Sequence, residues 1–116
     1  MDERQLCKRT KDFALRVISL CQALPSSQTG KVLSNQLLRS ATSVAANYRA
    51  ACRARSDAAM IAKLAIVLEE VDESHFWIEL IADAGLVTPA RLADLADEAN
   101  QLTAIFVASL KTLRKK

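Results

Sequence analysis

Glycine and proline are scarce in this chain of 116 residues, two of each, and with so few breakers the segments between them favour long helices over strands. Histidine occurs once, at His75, which excludes paired-histidine metal sites and histidine relays and suits a packed core residue better than a ligand. The three cysteines, Cys7, Cys21 and Cys52, form no CxxC pair and leave one over in any disulfide scheme. They indicate neither a zinc site nor an oxidised scaffold, and a reduced cytoplasm is the expected home. No apolar run approaches the roughly 18 to 20 residues needed to cross a bilayer, and the charged start MDERQLCKR lacks the apolar core of a signal peptide. A soluble, cytoplasmic protein without membrane contact follows as the expectation. Phosphate-cradling GxxxxGK[ST] and GxGxxG loops and the GxSxG nucleophile elbow are also missing. The chain is therefore expected not to be an enzyme, with no catalytic residues, no cofactor and no metal.

What is present is apolar and helix-forming: the hydrophobic fraction is 51%, much of it Ala and Leu. A domain of this size buries roughly two thirds of its unfolded surface, enough for one core. The stretch Gln36 to Arg55 sets the organisation. Wound at about 3.6 residues per turn, Leu33, Leu37, Ser40, Val44, Tyr48 and Ala51 share one stripe, Arg39, Ala46 and Arg53 lie nearly opposite, and Arg49 borders them. Small residues (Ser40, Ala41, Ser43, Ala45, Ala46) leave room for a close neighbour. This helix is predicted from about Lys31 to Cys52, with a first turn as early as Ser26 or Ser27 after the loop PSSQTG. Asn47, near its apolar face, is expected to fix packing register.

A first helix from about Glu3 to Ala23 places Leu6, Thr10, Phe13, Val17, Cys21 and Leu24 at core spacing and stops before Pro25. Its Arg4, Lys8 and Lys11 share an outer face. A third, about Asp57 to Asp83, starts at the Ser56 N-cap and offers the seam Ile61, Leu64, Leu68, Val71, His75, Ile78, Ala82. The fourth, about Pro89 to Arg114, opens at Thr88-Pro89 after the Gly85 cap, with Leu92, Leu95, Ala99, Leu102, Phe106, Leu110 and Leu113 inward. Short connections make this an all-α, antiparallel up-down-up-down four-helix bundle, one domain over residues 1 to 116.

Two features point beyond a lone bundle. In the third helix Ile66, Trp77 and Leu80 lie together with Glu70 and Glu73 on another side, where an apolar patch marks an oligomer interface, the alternative being that Trp77 belongs to the core of its own chain and the helix is rotated from this phase. Charge is also segregated: residues 1 to 56 hold ten basic and three acidic side chains (net +7), residues 57 to 110 two and ten (net −8), and the tail from Lys111 four basic. Arg39, Arg49, Arg53, Arg55 and Lys63, helped by the basic face of the first helix, are the candidate contacts to a nucleic-acid backbone, with only Tyr48 as an aromatic among them, so charge and shape recognition is expected over base reading. The alternative has the arginines paired across subunits to Glu69, Glu70 and Glu73, leaving an oligomeric protein-binding scaffold with no direct nucleic-acid role.

The segments QLLRSATSVAANYRAACRARS (Gln36 to Ser56) and IAKLAIVLEEVDESHFWIEL (Ile61 to Leu80), with Asn47, Arg49, the Glu69-Glu70 pair, Asp72, Glu73 and Trp77, resemble the bundle family associated with intervening sequences of bacterial 23S ribosomal RNA genes, also called the S23 ribosomal protein family. Met60 and Val71 depart from its pattern, as packing variations. The resemblance covers most of the chain and implies a bundle that assembles as a homopentamer without known enzymatic activity. A related branch, the accessory variability determinant of diversity-generating retroelements, forms a pentameric barrel that binds nucleic acid and a reverse transcriptase through a basic surface. The partners so implied are further copies of the chain, RNA or DNA, and a reverse transcriptase.

Overall fold

A computed structural model describes residues 1–116 as four helices, α1 (Glu3–Ala23), α2 (Gln28–Cys52), α3 (Asp57–Asp83) and α4 (Pro89–Arg114). Each packs on its neighbour in the chain, and α1 and α4 close the square along its loosest edge. The result is a rod of about 47 × 20 × 19 Å, a length set by helices of up to 27 residues at about 1.5 Å each.

The helix ends follow local chemistry. Asp2 caps α1, accepting from the Gln5 amide at 2.8 Å while Gln5 Oε1 accepts the Asp2 amide at 3.0 Å, a reciprocal capping box. The Ser27 hydroxyl accepts the Gly30 amide at 3.1 Å, so Ser27 caps α2 and the helix begins at Gln28, three residues before Lys31. Gly30 is there because Pro25 doubles back over it: a Cβ would stand 2.1 Å from the Pro25 carbonyl oxygen. Ser56 caps α3 by accepting from the Ala59 amide at 3.1 Å. Gly85 takes φ +74°, and the Gly85 and Leu86 amides donate back to Ala82 and Ile81 at 3.0 and 3.3 Å, the paired bonds of a helix stop that only a left-handed residue permits. Thr88 occupies the α4 cap, but its hydroxyl makes no capping bond there, and Pro89 opens the helix unaided.

The core draws on all four helices. All six stripe residues predicted for α2 are buried, as are Leu92, Leu95, Ala99, Leu102, Phe106 and Leu110 of α4, while Leu113 is half-buried. Tyr48 and Phe106, ring centroids 5.4 Å apart, join α2 to α4 across the interior. In α1 the predicted face holds, with Cys21 only half-buried.

α3 departs from expectation. Its buried residues are Leu64, Val67, Val71, Ser74, Ile78 and Ile81, whereas Ile61, Leu68, His75 and Ala82 of the predicted seam are half-buried. Apolar residues occur on several sides of this helix, so pattern alone does not set its phase, and contact with both α2 and α4 does. His75 is thus not a core residue; its Nδ1 lies 3.3 Å from Glu79 Oε1 near the surface. A serine enters the core in its stead. The Ser74 hydroxyl donates to Ser40 Oγ of α2 at 2.9 Å and lies 2.8 Å from the Glu70 carbonyl, and both serines are fully buried. Register between α2 and α3 is held by this serine pair. Asn47 bonds within its own helix, to the Ser43 carbonyl and hydroxyl at 3.0 and 2.9 Å, so it does not link helices.

Candidate nucleic-acid interface

The amphipathic winding of α2 leaves its cations outside, and the structure divides them into two groups. Arg39 faces α3, where its guanidinium binds Glu70 at 3.1 Å and also Glu73. Glu73 in turn accepts the Trp77 indole N–H at 3.1 Å. The Arg39 hydrogen bond holds the Glu73 carboxyl below the usual carboxylate range and raises the guanidinium pKa further. Arg39 is therefore neutralised inside the chain, in the pairing considered for arginine and these glutamates, but between helices of one copy.

Arg49 and Arg53 turn the other way, toward α1. With Lys11 they line a groove of about 650 Å³ between α1 and α2, together with the apolar side chains of Ala14, Leu15, Ile18, Ala45 and Ala46. The small α2 residues that leave room for a neighbour here leave an open trough instead. None of these three cations has an ion-pair partner within 4 Å, whereas the adjacent Lys8 is bound to Asp12 at 2.7 Å. Arg55 is exposed in the loop after α2, and Lys63 is half-buried on α3, away from the groove. Of the five basic candidates, then, the structure joins Arg49 and Arg53, and of the basic face of α1 it brings only Lys11 to them. Tyr48 is only 4% exposed and packed on Phe106, so no base can stack on it; burial and the Cys52 sulfur beside it push its phenol pKa up.

The acidic half forms the opposite side of the rod. On α3 the outermost stripe runs Ile66, Glu69, Asp72, Phe76, Glu79, all exposed and spaced three or four apart. Phe76, 53% exposed and edge-on to Trp77 at 5.0 Å, is the largest apolar side chain there, and it lies between the predicted seam and the predicted patch, outside both. Of the predicted interface residues, Ile66 is exposed, Trp77 and Leu80 are half-buried against the core, and Glu70 and Glu73 hold Arg39.

The fold and this division of charge define an antiparallel four-helix bundle with a cationic groove on its α1–α2 side and an acidic, apolar-studded ridge on α3. The sequence pattern of the 23S rRNA-intervening sequence protein family matches residues 2–108, and the chain belongs to that family. A crystal structure of a protein of unknown function from the S23 ribosomal protein family of Bacteroides thetaiotaomicron is similar at 31% identity, with TM-score 0.89, over 96% of this chain and 99% of that one. Among proteins of curated description none matches. No helix is long and apolar enough to cross a membrane.

Proposed function

We propose that the protein is a non-enzymatic accessory factor that binds the phosphate backbone of RNA or DNA through the α1–α2 groove lined by Lys11, Arg49 and Arg53, with Arg55 as a further contact from the loop after α2. The observation that carries this reading is the convergence of three cations, from two helices, on one groove with no carboxylate among its lining residues. Unpaired cations side by side repel one another, and a polyanion relieves that repulsion while releasing its own counterions. Arg39 is already satisfied by Glu70 and Glu73 and contributes little. Several copies, five on the family resemblance, would multiply these weak contacts by avidity.

A second reading has its own support. The exposed ridge Ile66, Glu69, Asp72, Phe76 carries acids and apolar groups complementary to the groove; in this reading a neighbouring copy docks there head to tail, a contact that closes a ring where the rotation between copies divides a full turn. One experiment separates the two. Binding of a single-stranded RNA is measured across a salt series together with native mass, for the wild type and for a Lys11→Ala, Arg49→Ala, Arg53→Ala triple variant. Backbone binding predicts at least a tenfold loss of affinity with a log–log salt slope shallower by about 2, at roughly 0.7 per lost contact, and an unchanged native mass. An unchanged affinity removes the nucleic-acid reading, and a fall in native mass assigns the groove to self-assembly.

A further inference from the structure

Two of the three thiols meet where α1 begins and α2 ends. Cys7 Sγ and Cys52 Sγ lie 3.8 Å apart, 45 residues apart in the chain, and both line the α1–α2 groove, where a small reagent reaches them. Cys21 stands apart, its thiol directed at the Ser34 carbonyl oxygen at 3.5 Å and about 20 Å further along α1. From Cys7 and Cys52 we infer that the protein carries a reversible disulfide site, closed by exchange with a small-molecule disulfide of the glutathione type. Bond formation needs the sulfurs to approach by roughly 2 Å, and Cys52 is the last residue of α2, so the movement falls on the final turn of one helix.

The steps balance as two exchanges. The Cys7 thiolate attacks one sulfur of the reagent; its S–S bond breaks, a mixed disulfide forms on Cys7, and the departing thiolate takes up a proton. Cys52 then loses its proton and attacks the Cys7 sulfur, closing the protein bond and expelling the second reagent thiolate, which is protonated in turn. The two protein thiols are oxidised by two electrons and the reagent is reduced to two thiols. Cys52 acts second because burial pushes its thiol up to about 11, leaving little thiolate for the first attack.

Full-length Cys21→Ser protein incubated with oxidised glutathione should lose two hydrogens in mass, keep no glutathione, and give a Cys7–Cys52 linked peptide. Its Tm should rise on the order of 10 °C, as expected for closing a loop of this length, and return with reductant. Adding Cys52→Ser should halt the reaction at a stable glutathione adduct on Cys7. A persistent adduct on the Cys52-containing protein, a bond between two chains, or two thiols left free would each overturn the inference.

Discussion

Arg9 of α1 grips Glu98 of α4 with two parallel hydrogen bonds, Nε to Oε2 at 2.8 Å and Nη2 to Oε1 at 2.6 Å, and its Nη2 also reaches Gln101 Oε1 at 2.7 Å. Both partners are largely covered, at 23% and 15% side-chain exposure. The pair spans the edge where the bundle is least tightly joined, so a geometry that is usually decorative on a surface acts here as a clasp. Arg9→Ala or Glu98→Ala should destabilise the fold by about 1 to 2 kcal/mol, read as a lower urea midpoint at an unchanged m-value. A loss within experimental error would mean that the pair contributes nothing net to stability.

The Arg39 network gives a pH signature. Glu73 has a depressed folded pKa, so its contribution is full above the ordinary carboxylate value of about 4.3 and is lost as pH falls through the lower folded value. With Arg39 half exposed, the stability difference between wild type and Arg39→Ala should stay under about 1 kcal/mol at neutral pH. It should shrink toward zero in acid, and chemical denaturation at a series of pH values measures it. A difference that grows as pH falls contradicts the assignment.

The serine pair between α2 and α3 should behave as one unit. Ser74→Ala removes the donor to Ser40, while Ser40 keeps its own bond to the Leu37 carbonyl at 3.1 Å; the expected cost is about 1 kcal/mol. The Ser40→Ala, Ser74→Ala double variant should lose less than the two single losses combined, because no hydroxyl is left without its partner. Strict additivity in thermal unfolding would show that the two hydroxyls do not cooperate.

The two glycines should rank in a definite order. Gly85→Ala meets open space and pays only for its left-handed backbone, about 1 kcal/mol. Gly30→Ala drives a methyl into the Pro25 carbonyl and must displace the α1–α2 turn, so the loss should exceed that at Gly85 by about 1 kcal/mol or more. Comparative urea titrations decide the order.

Much of the bundle was readable in advance because each clue was local. Prolines, glycines and capping serines sit within a turn of the ends they define, and in three of the helices one stripe holds enough apolar residues to mark the buried face, despite exposed Leu15, Val32 and Val107. α3 resisted for the opposite reason: with apolar groups on several sides, one pattern fits more than one rotation, and Ser74 does not look like a core residue until Ser40 is placed opposite it. The basic candidates were legible as a set, since all are charges on or beside the outer face of α2 or α3, but not their fates. Arg39 and Arg49, ten residues apart on one helix, end on different edges of it, one against the α3 acids and the other in the α1–α2 groove.

The order of residues by itself determined four long helices, their direction reversals and the separation of basic from acidic halves, because these depend on spacing along the chain and on short-range sterics. Only the tertiary structure decided which cations are matched, which thiols meet, and where Arg9 finds Glu98, 89 positions away. Such pairings depend on the rotation and height at which packed helices settle, and that is set by the whole core at once.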